Sequence, residues 1–137
     1  MLDLDFLDQA YDQAPHDGGA RRLLFICTTP RTGSHRLSRA LYDLGLGVPS
    51  EYFHPNTIEA LAPRWGLAAD RSSPGWLDVY WQEVLRRRTR GGIVAVSIFG
   101  IQIGLLKRLI GPGDRPLFIH LYRRSAAEQV ASLLALY

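Results

Sequence analysis

Residues 28 to 34 read T-T-P-R-T-G-S, a turn that sets one arginine, one glycine and several hydroxyls between an apolar run and a helical pattern. Those residue types suit an oxyanion. Gly33 lets the backbone come close to a ligand, Thr32 and Ser34 donate hydroxyl hydrogen bonds, and Arg31 offers a planar cationic fork. The turn is not the nucleotide-triphosphate loop G-x-x-x-x-G-K-[ST], because its first glycine and its lysine are both missing. Without that lysine, the chemistry of metal-assisted kinases and NTPases loses a working part. The same residues also fit a plainer role, with Ser34 capping a helix and Arg31 solvated.

Two other stretches carry polar groups in useful places. In G-V-P-S-E-Y-F-H-P, residues 47 to 55, Glu51 follows a proline turn beside aromatics and His54. A hydroxyl is a poor nucleophile at neutral pH, and a carboxylate within hydrogen-bond reach of it acts as general base. A solvated loop carboxylate is the alternative for Glu51. In I-H-L-Y-R-R-S-A-A-E-Q-V-A-S, residues 119 to 132, Arg123 and Arg124 lead from an apolar run into a helical pattern. Ser125, Gln129 and Ser132 then share one face at helical spacing, which gives a second anion site built like the first.

The elements that must position these groups alternate. L-L-F-I-C, residues 23 to 27, is a short apolar run that fits a strand buried on both faces. Leu37, Ala40, Leu41 and Leu44 then recur on one helical face, with Gly45 as the stop. Residues 46 to 75 are rich in proline and glycine and predict loop, with a short helix near 56 to 62. A helix comes next with Leu77, Tyr80, Trp81 and Val84 inward, and the basic run R-R-R-T-R (86 to 90) reads as its solvated C-terminal end. G-G-I-V-A-V-S-I-F-G (91 to 100) predicts a second strand, Q-I-G-L-L-K-R-L-I-G a short helix ending at Gly111, and R-P-L-F-I-H-L-Y (115 to 122) a third strand. A last helical pattern turns Ala127, Val130, Ala131 and Leu134 inward. This alternation predicts an α/β fold in three layers around a parallel sheet.

Composition narrows the classes further. With 137 residues, 47% of them hydrophobic, there is room for one domain. The net charge of +3 suits an anionic small ligand, and no aromatic interleaving of the basic run supports nucleic acid as a partner. One cysteine, Cys27, excludes a disulfide framework and reads as core rather than nucleophile. The four histidines show no metal-ligand spacing, so no metal is expected. Trp65, Trp76 and Trp81 read as packing. The acidic N-terminus does not resemble a signal peptide, no apolar run reaches membrane-spanning length, and cytoplasm is the default location. The helical pattern is still running at Tyr137, which predicts that residues 1 to 137 form a single domain truncated at its C-terminal side.

Taken together, R-T-G-S (31 to 34), P-S-E-Y-F (49 to 53) and the R-x8-S pair Arg123 and Ser132 resemble the trehalose and lipopolysaccharide sulfotransferase family of bacteria. Their order and spacing agree over residues 22 to 136. The resemblance implies a P-loop-like sulfotransferase fold, here incomplete, and 3′-phosphoadenosine 5′-phosphosulfate (PAPS) as sulfonate donor. It implies that Arg31, Thr32, Gly33 and Ser34, with the amide of His35, hold the 5′-phosphosulfate, that Arg123 and Ser132 bind the 3′-phosphate, and that Glu51 is the general base. The acceptor it implies is a hydroxyl of a carbohydrate or glycolipid. Oligomeric state stays open, a homodimer included. Three positions depart from the family pattern: Ser97 stands in the place of a lysine, His35 of a threonine and Ser125 of an aspartate. Two other readings accompany this one, a non-catalytic or truncated anion- or nucleotide-binding module and a P-loop-like kinase.

Overall fold

The computed structural model describes residues 6–15, 21–28, 34–68 and 70–122, together with Leu134. Three strands, β1 (Arg22–Thr28), β2 (Ile93–Phe99) and β3 (Leu117–Leu121), alternate with helices α1 (Ser34–Asp43), α2 (Pro55–Leu61), α3 (Trp76–Arg87) and α4 (Leu106–Leu109). A 3₁₀ turn over Gly100–Leu105 leads straight into α4. The sheet runs β2-β1-β3 with every pair parallel, so β1 is central. No helix among the described residues is long and apolar enough to cross a membrane.

The continuous apolar runs of β1 and β2 explain why both faces of the sheet are covered. Successive side chains point to opposite faces, and a run without polar alternation has to be buried on both. Leu23 and Phe25 share one face with Val94, Val96 and Ile98, and there α2 and α3 supply Leu61, Tyr80, Trp81 and Val84. Leu24, Ile26 and Ala95 form the other face, against Leu41 of α1. The architecture is therefore three-layered and α/β, as the alternation of elements predicts. Trp65, Trp76 and Trp81 are all buried, in agreement with a packing role.

Helix α1 ends where the glycine predicts. Gly45 takes φ +78, its N–H donates to Tyr42 O at 2.9 Å, and the Leu46 N–H donates to Leu41 O at 2.9 Å. This is a Schellman closure, with Leu46 and Leu41 in the same apolar cluster. The inward stripe, however, is rotated from the predicted one. Ala40 and Leu44 are exposed, whereas Leu37 is partly buried and Ser38 and Leu41 are buried. A small serine at position 38 admits close approach to the sheet, and periodicity of apolar residues alone does not register it.

The basic run is the larger correction, because it is not a solvated end. Arg88 is fully buried; its Nε donates to Asp12 Oδ1 at 3.0 Å and its Nη1 to Phe6 O at 2.6 Å. Nη2 lies 3.0 Å from the same Asp12 oxygen as an ion-pair contact, without the geometry of a further hydrogen bond. Asp12 also accepts from Arg64 Nη2 at 3.1 Å and from the Trp65 indole at 3.0 Å. One carboxylate thus gathers two guanidiniums and an indole, which is what lets a charged side chain stay buried. Residues 6–15 are strapped down by these contacts and by Gln13 N–H donating to Arg87 O at 2.8 Å.

The double glycine before β2 is required by close approach. Gly91 has φ +62, and a Cβ there would lie 2.1 Å from Gly45 O. Edge strand β3 differs from the other two: Leu117 and Phe118 are 43% and 54% exposed, although Phe118 stacks on Phe25. Of the last predicted helix only Leu134 is described. It is helical but exposed, not inward; Ala127, Val130 and Ala131 lie outside the described residues.

Candidate functional site

The carboxyl ends of the three strands lie level with one another. Thr28 pairs with Phe99 on one side and with Leu121 on the other. The chain leaves β1 at Thr28, and three positions later in sequence comes Arg31; it leaves β3 at Leu121, and two positions later comes Arg123. The two arginine-bearing segments therefore depart from adjacent points of one sheet edge, about 4.8 Å apart in the pairing direction. In open parallel sheets that edge is where ligands collect. Arg31, Thr32, Gly33, Arg123 and Ser132 themselves lie outside the described residues, as do Ser125 and Gln129.

Beyond β1 the described chain resumes at Ser34. That residue opens α1, and His35, in its first turn, is exposed. The same turn holds no acidic residue, and Asp43, the one acid on the helix, sits at its far end. A ten-residue helix directs its N-terminal N–H groups and the positive end of its dipole to this point.

Glu51 follows a residue that lies beside the middle of β2, level with Val96 and three residues before Phe99. Ser50 makes a parallel bridge to Val96 on the outer side of β2, and Ser97 N–H donates to Ser50 O at 2.9 Å. The next residues are anchored by burial. Tyr52 is fully buried, its hydroxyl donates to Val48 O at 2.5 Å, and its carbonyl accepts from the Tyr80 hydroxyl at 2.6 Å. Burial pushes the Tyr52 hydroxyl up to about 12 and drives that of Tyr80 upward too, so both remain protonated donors. Phe53 packs on Tyr80 and Trp81, and His54 N–H donates to Glu51 O at 3.0 Å, turning the chain into α2. Glu51 is half-buried in a backbone fixed on both sides.

Across the sheet the order is then the Glu51 segment, β2, β1 and β3. About two strand spacings, roughly 10 Å, separate the line of Ser50 from β1, and β3 lies one spacing beyond. Ser97, in the position where the resemblance implies a lysine, is buried and pairs with Ile26. Cys27 is half-buried, and burial raises its thiol above the ordinary range, which suits packing rather than nucleophilic attack.

Sequence reasoning missed the Asp12, Arg64 and Arg88 cluster. Its members are separated by up to 76 positions, and no local pattern announces it. Arg39 and Arg90 at the same end of the molecule lie over the Tyr42 ring. This cluster is structural, at the ends of α1 and α3 that point away from the strand carboxyl ends.

Compared with known proteins, residues 24–135 match the profile of a family described as Stf0 sulphotransferase. No curated protein and no solved structure matches the chain significantly.

Proposed function

Since the chain belongs to the Stf0 sulphotransferase family, we propose that it transfers a sulfonate group from PAPS to a hydroxyl of a carbohydrate or glycolipid acceptor. The observation that carries this reading is the order of the segments across the sheet. Glu51 enters beside β2, the anion turn comes after central β1, and Arg123 comes after β3 in register with it. A donor with phosphate at both ends of a nucleoside matches two anion sites that leave neighbouring strands. The carboxylate on the opposite flank suits an acceptor approaching the 5′ end.

The residues fit such a donor. The first turn of α1 is free of acids, and in our reading the Ser34 and His35 amides with Arg31, Thr32 and Gly33 receive the 5′-phosphosulfate. Arg123 and Ser132 receive the 3′-phosphate, whose charge sets PAPS apart from ATP. Bound PAPS supplies an electrophilic sulfur and a phosphate leaving group. Glu51 accepts the acceptor hydroxyl proton as that oxygen closes on sulfur. Arg31 and the helix amides stabilise the negative charge that builds on the departing phosphate oxygen, opposite the attack. Holding donor and acceptor in alignment is the greater part of such catalysis.

The test is transfer of radiolabelled sulfonate from PAPS to a panel of sugars and glycolipids. Glu51→Gln keeps size and polarity but removes the base, and should lower kcat by roughly 10²- to 10⁴-fold with donor affinity unchanged. Retained turnover in that variant removes Glu51 from the mechanism.

A further inference from the structure

Charge pairing across the molecule is uneven. Among the described arginines, Arg39, Arg64, Arg71, Arg86, Arg87, Arg88 and Arg108 each have a carboxylate within salt-bridge distance. Arg21, Arg22, Arg36, Arg90 and Arg115 have no carboxylate partner among the described residues, and three of these, Arg21, Arg22 and Arg115, line one concavity with Gly113 and Asp114. It lies where β1 and β3 begin, so it is at the opposite end of the sheet from the strand carboxyl ends.

The local geometry leaves the concavity with a net positive charge, three guanidiniums against one carboxylate. Asp114 is the one acid in the concavity, and its Oδ2 accepts the Gly111 N–H at 2.6 Å, closing the turn that Gly113 completes at φ +84. Arg22 Nε donates to the Arg115 carbonyl at 3.3 Å, which holds that guanidinium across the mouth of β3 and leaves its two terminal nitrogens for another acceptor. Three like charges drawn together raise the local potential and repel one another unless an anion joins them. The concavity has a volume of about 330 Å³, at the low end of small-molecule sites, which run from roughly 300 Å³ upward. Its lining is polar and cationic rather than apolar.

We propose that Arg21, Arg22 and Arg115 form a second anion site, independent of the sulfotransferase site, that takes a phosphate or sulfate ester. The guanidinium forks match the paired oxygens of such a group. The ester has two sources, a soluble metabolite or the headgroup of an anionic lipid, and the chemistry of recognition is common to both.

The experiment monitors the backbone amides of Gly113 and Asp114 by NMR while inorganic phosphate is added to the whole chain. These resonances should shift and saturate at millimolar phosphate, and salt should weaken the effect by screening. Arg22→Gln with Arg115→Gln should weaken the response about tenfold or more. Both side chains are exposed, so the fold should survive, and an unchanged melting curve checks it. Shifts at His35 report phosphate at the other end of the sheet and should persist in the double variant, so failure of either site is seen separately. Vesicles of phosphatidylcholine with and without phosphatidylglycerol distinguish the sources: sedimentation with the anionic vesicles alone, lost in the variant, assigns the headgroup, whereas phosphate shifts without sedimentation assign a soluble ester. Gly113 and Asp114 amides that stay still under both conditions, or shifts undiminished in the variant, overturn the proposal.

Discussion

Replacing Asp12 by alanine should be among the most damaging single changes outside the sheet. The carboxylate is 16% exposed and accepts from Arg88 Nε, Arg64 Nη2 and the Trp65 indole. After truncation, fully buried Arg88 keeps only the Phe6 carbonyl. Removing one partner of a buried ion pair costs about 3–5 kcal/mol. Arg64, at 24% side-chain exposure, can turn to water and adds little. The strap over residues 6–15 can also lift and admit water to Arg88, but then buried Phe6 is lost from the core, at roughly 1.5–3 kcal/mol. The first route costs about 3–5 kcal/mol and the second about 1.5–3 kcal/mol, so the loss falls at about 1.5–5 kcal/mol out of a total of the order of 5–15 kcal/mol. Urea unfolding, monitored through the fluorescence of Trp65 and the other tryptophans, measures it, and melting should fall by roughly 5–20 °C. Asp12→Asn keeps a neutral acceptor and should lose less. Asp12→Ala combined with Arg88→Met removes the stranded charge and should recover most of the loss. A loss under about 1 kcal/mol in Asp12→Ala would show that the buried cluster does not carry the charge of Arg88 as argued.

Two further outcomes rest on the same structure. Gly91→Ala places a Cβ against Gly45 O in a left-handed backbone, and should destabilise by more than about 1–2 kcal/mol in the same urea titration, while Gly45→Ala, with open space around its Cβ, should cost only the backbone term. Tyr52 is raised by burial from 10.0 to about 12, so the fold favours its neutral phenol; that stability is fully present below pH 10 and lost as pH rises through about 12. Tyr52→Phe should flatten this part of an alkaline unfolding profile, leaving the contribution of Tyr80, which is raised in the same direction, and should cost about 1 kcal/mol at neutral pH for the lost bond to Val48 O.

Much of the layer plan was legible because parallel strands write themselves as uninterrupted apolar runs. L-L-F-I-C and I-V-A-V-S-I-F lie inside β1 and β2, and the glycine stop after α1 is met by a real left-handed Gly45. Local periodicity fails where burial is decided by distant partners. The run R-R-R-T-R reads as solvent-facing because arginine is rarely buried, and only Asp12, 76 positions away, makes Arg88 an exception. Leu44 reads as inward because it completes a helical stripe, yet α1 meets the sheet through Ser38 and Leu41. At the candidate site the sequence located Glu51 on a turn, but not the bridge of Ser50 to β2 or the buried Tyr52 that hold it, since both depend on pairing with β2 and α3. The cluster of Arg21, Arg22 and Arg115 was open to inference from two basic strand entrances, once β1 and β3 are known to be neighbours.

The most direct test of the account is a calorimetric cycle with adenosine 3′,5′-bisphosphate and adenosine 5′-monophosphate on the whole chain and on Arg123→Ala. If the segments after β1 and β3 serve one nucleoside, the bisphosphate binds at least about tenfold tighter than the monophosphate, and Arg123→Ala abolishes that difference while sparing the monophosphate. Equal affinities for the two nucleotides, or a preference that survives the loss of Arg123, would contradict it.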